Sequence, residues 1–418
     1  MMTLCRPWPR GLKIDRPTAP NQSCIVTFPP LRPESGHLLH LDALRLIGSA
    51  GIVVLHVAAF FDSGTVSDRI ANSTRSFSLL VDMFFTVSGV VIAFVYFAQV
   101  TDTQSYFSFL RKRIARLGPL HWLTLAIFVA IGLAGHFFHI QMNHPELYNP
   151  QCFPSNLLFL NSVGFCPYLS FNGLSWSISA EMLMYVCVPI LFWIMRRHMA
   201  GAGLIAAIAW LALTFIPGTL WYKWTATGGF LRAVPSFALG AWLFGARGTL
   251  AKLPFANWGF WLGVLAFVGG CAIGVAKLAL LLTLYATVAC GVAADEQKRP
   301  SRLVSRLAAG GQLTYSSYML HPLVSMVLLN TLADRVLHAH GWERNSLVVV
   351  TFLAVWPVSY LSLIFFERPA RRWLSGQVKE APTRGAPGTR GGEHNCSGSD
   401  SRALRRTITS SKCDAKRS

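Results

Sequence analysis

Apolar residues run through this chain in stretches of about 17 to 25, the length a helix needs to cross a hydrocarbon layer. Ten such runs can be marked, at about residues 44–61, 79–98, 117–140, 175–195, 201–217, 230–246, 256–275, 278–294, 313–331 and 346–366. Pro217, Pro235 and the Gly269-Gly270 pair punctuate the fifth to eighth runs, whose connections are short. The pattern predicts an all-α polytopic membrane protein of about ten transmembrane helices.

The charged positions give that set of helices a direction. Alternate connections carry Arg111, Lys112, Arg113 and Arg116, then Arg196 and Arg197, then Arg247 and Lys252, then Lys298, Arg299, Arg302 and Arg306. The other connections hold only Arg69, Arg75, Lys223, Lys277, Arg335 and Arg344. Basic residues are retained on the cytoplasmic side, so both termini are expected there, and an even number of spans fits.

Composition agrees, with 53% hydrophobic and 13% charged residues over 418 positions. A formal charge of +19 would suit a nucleic-acid partner, but 12 of the 37 Lys and Arg residues follow Phe366 and six more lie at or before Arg45. Charge in tails and short loops reports orientation and contact with anionic lipid, so no nucleic-acid partner is expected. The expected organisation is a basic, Pro-rich cytoplasmic extension at 1–38, a membrane domain at 39–374 and a basic disordered tail at 375–418. No compact apolar signal segment precedes the first run, and no internal repeat of the kind many transporters carry is visible.

The nine cysteines form no CxxC pair and no Cys/His ligand spacing, which argues against a metal site. Cys152 and Cys166 lie in the longest connection, about 141–174, which has no Lys or Arg and is expected outside. There they can either bridge or stay as free thiols.

Ionisable residues inside apolar runs are the candidates for chemistry, because burying them costs several kcal/mol unless they are paired or line a polar cavity. Arg45 and His56 stand eleven residues apart on the first run, on one helical face and about 16 Å apart along the axis. His56 is either functional or a satisfied histidine packed between helices. Asp82 and Ser88 follow on the second run, Asp82 also being suited to a local cap. Arg113 and Arg116, three apart before the third run, can share an anion or simply mark orientation. Glu181 lies about two turns into the fourth run and needs a partner, for which Arg232 on the sixth is the expected candidate; His321-Pro322 closes a further cluster on the ninth, where Pro322 should kink the helix.

Taken in order, these segments resemble acyltransferase family 3, integral-membrane enzymes that O-acylate cell-surface glycans and related acceptors. The resemblance rests on Leu41-Asp42-Ala43-Leu44-Arg45 with His56, Asp82-Met83-Phe84-Phe85-Thr86-Val87-Ser88-Gly89, Arg113-Ile114-Ala115-Arg116 before Gly118-Pro119-Leu120-His121-Trp122, Trp176-Ser177-Ile178-Ser179-Ala180-Glu181, Tyr315-Ser316-Ser317-Tyr318-Met319-Leu320-His321-Pro322 and Phe366-Glu367-Arg368-Pro369. Ala43 stands where the family usually carries Gly, and the residues after the tenth run are too few for the extra hydrolase-like domain that some members add.

The resemblance implies an acyltransferase of a bacterial inner membrane, with no bound cofactor and with an acyl-CoA, acetyl-CoA being the expected one, as the donor substrate. Its implied partners are a glycan or glycolipid acceptor and membrane lipids. Arg45, Arg113 and Arg116 are then expected to hold donor phosphates, His56 and Ser88 to be catalytic, and Asp82, Glu181 and Arg232 to meet the acceptor, with Trp176 and His321 as secondary candidates. His56 either deprotonates the acceptor hydroxyl or is itself acylated. A glycan or lipid carrier without acyl chemistry would use the same buried groups as a pathway, and a structural membrane subunit would need none of them.

Overall fold

The computed structural model describes Leu31 and residues 38–376, apart from 63, 141, 143, 217–219 and 299. Most of the two expected basic extensions therefore lies outside the described residues. Among the described residues the helices in chain order are α1 (Leu39–Val57), α2 (Thr65–Thr74), α3 (Leu80–Tyr96), α4 (Thr103–Phe137), α5 (Phe153–Leu157), α6 (Trp176–Arg197) and α7 (Gly201–Thr214). They continue as α8 (Gly229–Leu250), α9 (Ala256–Ala272), α10 (Lys277–Glu296), α11 (Arg302–Gly310), α12 (Thr314–Ser325), α13 (Trp342–Ser362) and α14 (Arg368–Ser375).

Every apolar run forms helix over most of its described residues. Seven helical stretches are long and apolar enough to cross a membrane: Leu39–Phe60, Val66–Tyr96, Thr103–Phe137, Gly173–Arg197, Gly229–Leu250, Lys277–Glu296 and Trp342–Ser375. The fifth and seventh runs form α7 and α9, apolar but only 14 and 17 residues long. Pro235 lies inside α8 and the Gly269-Gly270 pair inside α9, so neither breaks its helix. Pro322 is likewise inside α12, which widens into a π-helical stretch at Met326–Val336.

Local chemistry moves two helix starts well ahead of the hydropathy boundary. α4 begins at a capping box in which Asp102 Oδ1 accepts the Ser105 N–H at 2.9 Å and Ser105 Oγ accepts the Asp102 N–H at 3.1 Å. The backbone bond from Ser105 holds the exposed Asp102 carboxyl below its usual range. This early start puts the basic residues from Arg111 to Arg116 on a helix continuous with the apolar run. α1 begins where the Asp295 carboxylate of α10 accepts the N–H groups of His40 at 2.9 Å and Leu41 at 3.4 Å. These are donors that the first turn of any helix leaves without an internal partner.

α3 and α8 meet backbone to backbone. A Cβ at Gly89 would lie 2.1 Å from the Phe237 carbonyl oxygen, and one at Gly240 would lie 2.0 Å from that of Thr86. Glycine permits this approach because it has no Cβ. Gly89→Ala and Gly240→Ala are each expected to lower the thermal midpoint of the purified protein, the backbone having to shift at a cost of about 1–3 kcal/mol. Gly248→Ala, where a Cβ meets nothing within 4 Å and alanine suits a helix better than glycine, should not lower the midpoint.

The connection at 141–174 is not a simple outer loop. Cys152 and Cys166 are disulfide-bonded with Cα atoms 5.7 Å apart. Around them the segment turns polar side chains inward, where Asn156 donates to Ser170 Oγ at 2.8 Å, Asn161 donates to Ser175 Oγ at 2.9 Å and Asn172 donates to the Met319 carbonyl at 3.1 Å. All three asparagines are buried. The layer ties α4, α6 and α12 together, His121 of α4 joining through Nε2, 2.7 Å from the Asn156 carbonyl.

Candidate active site

A cavity between α1, α3, α4, α6 and the start of α12 collects half of the expected site residues. Arg45, Arg113 and Arg116 line it together with Ser88 and Glu181. α4 brings Arg113 and Arg116 to one face because residues three apart are neighbours on a helix, and α1 supplies Arg45. Arg113 is buried, its guanidinium donating to Tyr96 Oη at 2.7 Å and lying 4.9 Å from the centre of that ring. Arg45 is partly buried, 3.7 Å from the Asp42 carboxylate one turn before it.

Ser88 and Glu181 meet in the cavity wall. Ser88 Oγ donates to Glu181 Oε1 at 2.5 Å and lies 3.2 Å from Tyr185 Oη, and Tyr185 also donates to Glu181. Glu181 and Tyr185 are four apart on α6, so the tyrosine follows the carboxylate on the same face. Two hydroxyl donors thus serve the half-buried carboxylate that was expected to pair with Arg232.

Arg232 pairs instead with Asp82. Its Nε and Nη2 reach the two carboxylate oxygens at 3.0 and 2.6 Å, and its remaining contacts go to the carbonyls of Ser78 at 3.0 Å and Trp224 at 3.2 Å. Both side chains are fully buried, 0% and 2% exposed, and the guanidinium sits 5.2 Å over the Trp176 ring. A fork-to-fork pair with its spare donors on backbone carbonyls is satisfied by the protein alone. Asp82 and Arg232 thus join α3 to α8, with the Trp176 ring of α6 against the guanidinium.

His56 lies beyond this cavity rather than in its lining. It is half-buried on α1 and meets His321 of α12, its Nδ1 3.3 Å from His321 Nε2. Tyr318 lines the cavity and places its ring 6.2 Å from that of His321, so one residue separates the arginine-lined space from the histidine pair. Among the described residues no group of three or more His, Cys, Asp or Glu side chains is placed to hold a metal ion.

A profile of the acyltransferase domain matches residues 38–366. The chain belongs to acyltransferase family 3. Acyltransferase MdmB from Streptomyces mycarofaciens is 28% identical over 189 residues, which is 42% of this chain and 46% of that protein. Protein 2 in the picA locus of Rhizobium radiobacter is 36% identical over 93 residues, 22% of this chain and 43% of that protein. The matches thus span less than half the length of these curated relatives. No solved structure matches the chain. Membership of an acyltransferase family thus goes together with seven helical stretches, among the described residues, that are long and apolar enough to cross a membrane.

Several residues of the family segments hold the site without having stood out as candidates. Tyr315 lines the cavity and donates to the Leu117 carbonyl of α4. Gln312, also in the lining, accepts from Arg368 at 2.6 Å, while neighbouring Glu367 accepts from Ser316 at 2.6 Å and from Ser362 at 3.0 Å. The closing Phe366-Glu367-Arg368-Pro369 segment therefore braces the start of α12. Its signal in the sequence was an acid–base pair beside an apolar run; Ser362 is five residues away, but Ser316 and Gln312 are more than fifty residues away and only the fold identifies them.

Proposed function

We propose that this protein moves an acyl group, acetyl in the simplest case, from cytosolic acyl-CoA to a hydroxyl of an extracytoplasmic glycan or glycolipid. The observation that carries the reading is the convergence of Arg45, Arg113 and Arg116 on one cavity that also holds Ser88 and Glu181. Three guanidiniums outnumber the carboxylates beside them, Glu181 in the lining and Asp42 next to Arg45, and so favour an anion; the phosphates of a CoA thioester have the right charge and oxygen geometry for forked donors. In this reading the donor's phosphates rest on the arginines while its thioester extends past Tyr318 towards His56. A neutral imidazole can take the acceptor's proton there, or accept the acyl group itself. Ser88 and Glu181 line the route and orient the donor or the acceptor hydroxyl.

Orientation is part of the proposal, with ten spans and both termini cytoplasmic. Alternation of ten spans makes the first and ninth parallel, and likewise the second and sixth. Contacts of Ser49 with Ser317 and of His56 with His321 run the same way along α1 and α12. Those of Asp82 with Arg232 and of Thr86 with Gly240 do so along α3 and α8. A reporter fused after Ser418 should be active only in its cytoplasmic form, and a protease site inserted at Asn149 should be cut from outside. The reverse labelling would overturn the assigned donor and acceptor sides together.

The donor site is tested by exchanging guanidinium for ammonium. Arg45→Lys and Arg113→Lys keep the charge but lose the planar fork, so each is expected to weaken acetyl-CoA binding about tenfold, as for a lost charged hydrogen bond. Arg113→Lys also loses the contact with Tyr96, so its folded state is checked by thermal melting. Unchanged affinity in both folded variants would remove these residues from the donor site. Thiol release from acetyl-CoA by the wild-type protein separates acyl transfer from transport of an intact glycan or lipid.

A further inference from the structure

Two imidazoles meet in the interior of the helical domain, and the reading above gives a task to only one of them. His321 is fully buried, with its Nε2 3.3 Å from His56 Nδ1 and the ring centres 5.0 Å apart. The backbone decides which nitrogens carry hydrogen. His56 Nδ1 lies 2.8 Å from the Ile52 carbonyl oxygen, and His321 Nδ1 lies 2.8 Å from that of Ser317. A carbonyl can only accept, so each Nδ1 carries the hydrogen, and a neutral imidazole protonated at Nδ1 keeps a lone pair on Nε2.

The pair therefore has a direction. The Nδ1–H of His56 is shared between the Ile52 carbonyl and the Nε2 lone pair of His321, which leaves His56 Nε2 as the basic nitrogen. The helices hold this register independently of the rings, because Ser49 and Ser317 on the same two helices are hydrogen-bonded at 2.5 Å.

We infer that His321 is a positioning residue for acyl transfer, holding His56 in the tautomer whose Nε2 is the base and accepting from the imidazolium that forms there. The inference rests on His56 acting as a base. In that step the acceptor's oxygen bonds to the thioester carbonyl carbon while its proton passes to His56 Nε2. The C–S bond then breaks, and the thiolate takes the proton from Nε2, giving the ester and free CoA thiol with His56 neutral again. His321 gains and loses no proton. A carboxylate in its place would supply a stronger acceptor, but it would bring a second charge into an apolar interior, where desolvation costs several kcal/mol; a neutral imidazole fixed by a carbonyl supplies the lone pair without that cost.

The test uses the purified full-length protein, with thiol release from acetyl-CoA as the readout and glycolipid extracted from host membranes as acceptor. His321→Leu fills the space without an acceptor and is expected to lower kcat about 100-fold, within the range of general-base effects, with KM for acetyl-CoA unchanged. His321→Gln returns an amide oxygen near the position of Nε2 and should recover about tenfold of that loss. Nitrogen NMR of the histidine-labelled wild type, assigned by difference against His56→Gln, should find His56 protonated at Nδ1 and bare at Nε2. An unchanged kcat in His321→Leu, a loss that falls on KM, a Gln variant no better than Leu, or the opposite His56 tautomer in the wild type would each overturn the role of His321. Where His321→Leu fails to fold, His321→Ala, which also lacks an acceptor, takes its place in the kcat measurement with the same expected loss. Turnover by His56→Gln, by contrast, would overturn the base reading on which the inference rests, whatever the tautomer.

Discussion

His56→Gln is expected to abolish acyl transfer, by about 10²- to 10⁴-fold or more, with acetyl-CoA still bound. Glutamine keeps approximate size and a hydrogen-bonding group but cannot take a proton near neutral pH, so the substitution separates packing from chemistry. Donor affinity should survive because Arg45 sits eleven residues, about 16 Å, down the same helix, and because Arg113 and Arg116 come from α4. His56→Ala should be equally inactive. Ser88→Ala should retain part of the activity, since Glu181 keeps its bond from Tyr185 when the serine hydroxyl is removed. The measurements are thiol release from acetyl-CoA and equilibrium binding of the same ligand. Substantial turnover by the folded His56→Gln protein would remove this residue from the chemistry.

The second large effect is on stability. Asp82→Ala or Arg232→Ala leaves the other partner charged in a fully buried site, and breaking such a pair costs about 3–5 kcal/mol. Loss of most folded protein is expected from either change, read as yield and thermal midpoint after detergent extraction. Arg232→Lys should not restore it, because an ammonium cannot span both Asp82 oxygens and the carbonyls of Ser78 and Trp224. Asp82→Leu combined with Arg232→Met removes both charges while filling the space, and this double variant is expected to recover much of the stability that either single change loses. Single variants as stable as the wild type would show that the pair does not hold α3 against α8. Because both residues are expected to act through the framework, any folded double variant should keep its affinity for acetyl-CoA.

The periodicity of apolar positions was enough to place helices and the faces of their polar residues. Arg45 and His56 on one face of α1, and Arg113 beside Arg116 on α4, follow from 3.6 residues per turn and needed no tertiary information. Family membership was legible as well, because short motifs keep their order along a chain even where overall identity to relatives is low. Helix starts were less legible: the Asp102–Ser105 box could be read locally, whereas the Asp295 cap on α1 comes from α10.

Partner choice belonged to the tertiary structure. Glu181 faces Ser88 and Tyr185, and Arg232 faces Asp82, because the Gly89 and Gly240 contacts bring α3 and α8 together closely enough for the long guanidinium to reach the carboxylate first. The pairing of His56 with His321 joins residues 265 positions apart. Hydropathy and helical period describe each helix against its surroundings, so they give depth and face. Which helix packs on which depends on side-chain volume and backbone approach between distant segments, and these decide which charges neutralise each other and which remain to bind a substrate.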